Sequence, residues 1–153
     1  MMIALLLAAA AAATPSSLTI DAPGRTPLTL DAAALAKLPQ VTVSRTDHGK
    51  ALRCTGIPLT ALLARVGQPQ GEALRGAALA SGVMVRARDG YRVLFSLGEL
   101  DGSLGKVEAV LASSCDGQPL DATAGPLRLL VPGDTRPARS VRQVSRISIV
   151  NPR

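Results

Sequence analysis

The sequence predicts an α+β domain, a mixed, mainly β structure with short helices. Three observations lead there. Short segments that alternate apolar and polar residues recur along the chain, each bounded by Gly, Pro or Asp. The helical signals are brief, with start and stop residues only a few positions apart. No strand–helix–strand unit repeats, so a doubly wound parallel sheet is not expected. The 153 residues suit one domain, and a composition 47% hydrophobic and 18% charged supplies a core. Tyr91 and Phe95 are the only aromatic residues, so that core falls to Leu, Val, Ile and Ala.

The elements follow in order. Met1 to Leu7 runs into the alanine tract Ala8 to Ala13, an apolar stretch too short to span a bilayer. It ends in small residues suited to cleavage and reads as a signal peptide over residues 1–13, without the usual basic start. Residues 14–153 then form one periplasmic or secreted domain, with no membrane span after cleavage. Ser17 to Ala22 alternates as a strand, Pro23-Gly24 turns, and Thr26 to Leu30 is a second strand. Asp31 is placed to cap a helix over Ala32 to Leu38, which Pro39 stops. Val41 to Arg45 alternates again, and Thr46 to Lys50 reads as a polar loop. In Gly56 to Gly67, Pro58 suits a first helical turn and Gly67 a position just past the helix end. Strands are expected around Val83 to Arg86 and from Tyr91 to Phe95, joined by the hairpin signal Asp89-Gly90. Ser96 and Glu99 have the spacing of a capping box, which makes Glu99 a helix-start residue rather than a catalytic acid. Val107 to Ala112, Leu127 to Val131 and Val144 to Val150 complete the strands.

Charge and motif content exclude several function classes. The net charge of +6 invites a polyanion. The arginines are scattered, however, and aromatic stacking platforms are absent, which argues against a nucleic-acid partner. No P-loop, dinucleotide fingerprint, nucleophile elbow or His-Glu-x-x-His motif occurs. A single histidine, His48, rules out a multi-histidine metal site and reads as a solvated or capping loop residue. Cys54 and Cys115, in an exported chain, are either two small buried thiols or a disulfide. The disulfide would close a loop of about 60 residues and contribute roughly 4 kcal/mol.

The last third concentrates the chemistry. The apolar strand Leu127 to Val131 carries one charge, Arg128, and closes on Pro132-Gly133. Arg136, Arg139 and Arg142 follow at once. Guanidinium groups delivered to one loop suit an oxyanion, because each presents a fixed fork of donors.

Motif order adds a resemblance. Gly56-Ile-Pro-Leu59, Asp89-Gly-Tyr91, Phe95-Ser-Leu97, Asp116-Gly-x-Pro-Leu120, Gly125-Pro-Leu-Arg-Leu-x-Val-Pro-Gly133 and Ala138-Arg-x-Val-Arg142 precede a final Ile/Val strand. Over roughly residues 17 to 150 this progression resembles the sulfite-oxidase-like molybdopterin-binding family. The resemblance implies that family's mixed α+β fold and a molybdenum cofactor whose pterin phosphate is held by Arg128, Arg139 and Arg142. It also implies a substrate-facing Tyr91 in the catalytic site and, in an active enzyme, a redox partner. The family's molybdenum-ligating cysteine belongs around Ser44 or Arg45. Cys54 is the nearest thiol and the candidate metal ligand. Gln143 stands where the family usually has Trp. Two function readings follow: a periplasmic molybdopterin-binding oxidoreductase-like protein, or a non-catalytic binding or accessory module that keeps the fold and takes a small anion or pterin.

Overall fold

A computed structural model describes residues 15–152, apart from the side chain of Asp47. The signal peptide expected over residues 1–13 lies outside the described residues. Ten strands and three short α-helices alternate along the chain: β1 (Ser17–Asp21), β2 (Leu28–Asp31), α1 (Ala32–Ala36), β3 (Val41–Asp47), β4 (Lys50–Pro58) and α2 (Leu59–Arg65) come first. Then follow β5 (Gly82–Ala87), β6 (Arg92–Ser96), α3 (Leu97–Leu100), β7 (Val110–Cys115), β8 (Gln118–Pro119), β9 (Arg128–Leu130) and β10 (Val144–Val150). The expected α+β class, mainly β with short helices, is the observed one. Among the described residues no helix is long and apolar enough to cross a membrane.

Two sheets build the domain. The first runs β2-β1-β10-β5-β6, and the second β3-β4-β7-β8, with β9 also pairing with β7. The β1–β10 pair is parallel and the other pairs are antiparallel, which makes the first sheet mixed. Alternation sends Leu18, Ile20, Val83, Val85, Phe95 and Ile147 of the first sheet into one core with Ile57, Leu111 and Leu129 of the second. Leu59, Leu62 and Leu63 of α2 join it. The other face of the second sheet holds a smaller cluster of Val43, Cys54, Val110, Ala112 and Leu130.

Local signals worked where a side chain caps or a turn demands a left-handed residue. Asp31 accepts a hydrogen bond from the Ala34 amide at 2.8 Å and starts α1. Gly67, with φ of +70°, sits just past α2 as expected. Other expectations need correction. β4 was not foreseen, because its buried positions Cys54 and Gly56 are too small to show an apolar alternation. The expected polar loop at Thr46 to Lys50 is a two-residue turn, His48-Gly49, whose φ values of 48° and 79° suit a tight hairpin. Pro58 precedes α2 instead of entering its first turn. The strand expected from Val107 begins at Val110.

Cys54 and Cys115 lie opposite each other on β4 and β7 and form a disulfide across a sequence separation of 61. The choice between disulfide and buried thiols is therefore settled by strand register. Two positions after Cys54, Gly56 lets β4 and β7 close up: a Cβ there would stand 2.2 Å from the Leu111 carbonyl oxygen. Any side chain must push the strands apart.

These contacts fix two stability outcomes. Replacing both cysteines by serine should lower unfolding free energy by about 4 kcal/mol in urea titrations. Gly56→Ala should cost about 2 kcal/mol or more, since backbone, rather than a pliable side chain, opposes the added methyl. A Gly56→Ala protein as stable as wild type would contradict the packing of β4 on β7.

Candidate functional site

The site lies at one end of the second sheet and is assembled by three local devices. The β3–β4 hairpin brings Arg45 and His48 to it. Register places Arg45 on the same face as Val43, two residues before it and opposite Cys54. β9 brings Arg128, which pairs with Ala112 on β7 and is only 8% exposed. The segment after the Val131–Asp134 turn makes one turn of 3-10 helix, Pro137–Arg139, and delivers Ala138, Ser140 and Arg142.

These elements enclose a cavity of about 360 Å³ lined by Arg45, His48, Tyr91, Arg128 and Arg142, among others. A neighbouring cavity of about 440 Å³ shares Arg45, His48, Pro137 and Ser140 and extends to the Val131–Asp134 turn. Three guanidinium groups and one imidazole thus face a shared space, with Asp89 the only carboxylate lining the smaller cavity among the described residues. That carboxylate is already engaged, accepting from the Tyr91 amide at 2.9 Å. A site so charged suits an anion with several acceptor oxygens.

The residues expected from sequence divide cleanly. Arg128, Arg142 and Tyr91 come together on the smaller cavity. Arg142 is exposed and makes no hydrogen bond or ion pair among the described residues. The Tyr91 hydroxyl donates to the Ala138 carbonyl at 2.5 Å, so it ties the β5–β6 hairpin to the loop it faces. Arg139, expected as a phosphate holder, lines neither of these two cavities. Its Nε and Nη2 donate to the two carboxylate oxygens of Asp134 at 2.8 and 2.6 Å, and its Nη1 to Glu99 at 2.6 Å. Its guanidinium also stacks 4.8 Å above the Phe95 ring. The sulfur of Cys54, expected as metal ligand, is bonded to Cys115, and a disulfide offers no thiolate.

Arg45 and His48 are the site residues that sequence reading did not assign. The signal was present in His48-Gly49, a two-residue turn between strands. It was hidden because β4, its second strand, lacks large apolar residues. Glu99 behaves as read: it caps α3, accepting from the Ser96 amide at 2.8 Å, while the Ser96 hydroxyl accepts from the Glu99 amide at 3.0 Å.

Comparison with known proteins now bears on this geometry. The family described as "Oxidoreductase molybdopterin binding domain" matches residues 45–153. Among solved structures, the chain is similar to the sulfane dehydrogenase SoxCD from Paracoccus pantotrophus, with a TM-score of 0.65 and 20% identity. That likeness covers 89% of this chain but 38% of the solved one, and at such identity it speaks for the fold alone. No curated protein matches the chain.

The Arg139 contacts carry a pH signature. Hydrogen bonds from Arg139 hold the Asp134 carboxyl below its usual range, and the Ser103 hydroxyl, with backbone amides, does the same for Asp101. A depressed carboxyl contributes stability above its unfolded value, near pH 3.9, and loses it as pH falls through the lower folded value. Arg139→Ala should therefore destabilise by about 1–2 kcal/mol at neutral pH, a figure reduced for the arginine's one-third exposure. The gap from wild type should narrow as pH drops below about 4. Chemical denaturation at several pH values measures both; a gap independent of pH would contradict the assignment.

Proposed function

Because the chain belongs to the oxidoreductase molybdopterin binding domain family, we propose that it acts outside the cytoplasm as a binding module. It grips a pterin phosphate, or a small oxyanion of the same chemistry, through Arg45, Arg128 and Arg142. The observation that carries this reading is the convergence of those three arginines with Tyr91 on one cavity of about 360 Å³. A cavity of that size accepts a phosphate and part of a fused ring system, and the neighbouring cavity leaves room for the rest.

The cofactor implied by the family fits these residues only in part. Its phosphate meets matching donors: planar, permanently charged forks on two strands and a loop. Its metal does not meet a matching ligand. The place where the family resemblance puts a thiolate, around Ser44 or Arg45, carries no cysteine, and Cys54 is locked with Cys115. Among the described residues no group of three or more His, Cys, Asp or Glu side chains gathers as a metal site. Soft thiolate ligation is therefore not offered, and a guanidinium repels a cation. When bound with molybdenum, a pterin supplies oxygen-atom or electron transfer, whereas the described residues offer the anion grip and no cluster of metal ligands. Tyr91 serves that grip by fixing Ala138, and with it the loop that presents Ser140 and Arg142. The non-catalytic reading is accordingly favoured over the oxidoreductase one. Export of the chain, on the strength of the leader-like residues 1–13, belongs to the same proposal.

Two measurements test it. Phosphate at about 100 times its dissociation constant should stabilise the protein by roughly 2.7 kcal/mol in thermal or urea unfolding. Arg142→Ala should remove most of that gain while leaving the unliganded stability within about 0.5 kcal/mol of wild type. Protein purified from its native compartment should carry no stoichiometric molybdenum. Stoichiometric metal together with two free thiols would instead restore Cys54 as a ligand and the oxidoreductase reading.

A further inference from the structure

The outer face of the first sheet carries a second basic feature, remote in kind from the anion cavity. Register aligns Arg146 on β10 with Arg86 on β5, and Arg86 with Arg92 on β6. Thr19 on β1 continues the row. All three arginines are exposed, on the face opposite the buried Val83, Val85, Phe95 and Ile147. Neighbouring strands are about 4.8 Å apart, so the row spans about 10 Å. Like charges set directly opposite each other destabilise a sheet. Arg146 is relieved by Asp21 in an ion pair of 2.5 Å. Arg86 and Arg92 make no ion pair among the described residues.

The next row on the same face turns apolar toward the sheet edge. Ser148, Met84 and Leu94 are aligned, and Leu94 is 56% exposed. Its Cδ1 lies over Gly82, 2.8 Å from where a Cβ would stand, so the leucine side chain is laid flat along the sheet. Val150 extends the apolar strip at 40% exposure. β6 is the edge strand of the sheet, so nothing on the described chain flanks this face beyond Arg92.

We propose that this face docks a protein partner that sets carboxylates opposite the Arg92–Arg86–Arg146 row and an apolar patch over Leu94 and Met84. Unrelieved arginines beside exposed apolar side chains match the composition of protein interfaces, where Arg is enriched around an apolar centre. Two charges left opposed on a free sheet are offset when an acidic strip covers them. A nucleic acid is the poorer occupant, because no aromatic side chain lies on this face for bases to stack on. A lipid surface is poorer too, since the row is short, flat and made of arginines alone.

The test uses the full chain and fluorescein-labelled poly-L-glutamate as an acidic polypeptide probe, read by anisotropy. Arg86→Gln/Arg92→Gln should weaken binding roughly ten-fold at low salt. Arg65→Gln/Arg75→Gln, which removes the same charge from exposed positions elsewhere, should change it by less than about two-fold. Equal losses in the two double variants would overturn the proposal. So would tighter, Arg86- and Arg92-dependent binding to phosphatidylserine vesicles than to poly-L-glutamate, which would assign the face to a membrane.

Discussion

The guanidinium of Arg139 is the contact on which the site depends. It joins three elements that the chain brings from far apart: the Val131–Asp134 turn through Asp134, the cap of α3 through Glu99, and β6 through the face of Phe95. An arginine suits this post because it is planar and always charged, and it bonds in two directions while stacking in a third. The short segment it anchors carries Ala138 and Ser140, and Arg142 follows at once. The Tyr91 hydroxyl on Ala138 and the Val131 amide on the Ser140 hydroxyl, at 3.3 Å, brace the same segment. Remove the knot and the loop loses the contacts that set the distance between Arg142 and Arg128.

Charges in this corner are sorted by partner. Arg139 has two carboxylates and is structural, whereas Arg142 has none among the described residues and faces the cavity. Arg128 is buried on β9, in the same layer as Leu130, Ala112 and Cys54. The disulfide therefore lies beneath the arginines. It joins β4 to β7, and β7 in turn holds β9. A thiol that the sequence offers as a metal ligand instead staples β4 to β7, the strand that holds β9 and Arg128. That role supports the proposed binding reading over the redox one.

Much of this was legible from residue types whose effect is local. Asp31 and the Ser96–Glu99 pair announce their helices because a cap needs only its own backbone. Asp89-Gly90 announces its hairpin for the same reason. The order of the Gly-Pro-Leu-Arg and Val-Pro-Gly segments was enough to identify the family, and with it the fold. What stayed hidden depends on contacts between distant segments. β4 is invisible because close approach to β7 requires small residues, Cys54 and Gly56, at its buried positions. Without β4, neither the hairpin that carries Arg45 and His48 nor the meeting of the two cysteines can be deduced. Arg139 and Arg142 are equivalent as letters three positions apart. Only the fold shows that one finds Asp134 and Glu99 while the other finds no carboxylate among the described residues.

The central claim is that Arg45, Arg128 and Arg142 form one oxyanion site above an intact disulfide. A crystal structure of the full chain grown with phosphate tests it most directly. The account predicts one tetrahedral anion in the cavity, within hydrogen-bonding distance of at least two of those guanidinium groups, with Cys54 bonded to Cys115. Phosphate bound instead by Arg139, or a Cys54 sulfur free and turned into the cavity, would contradict it.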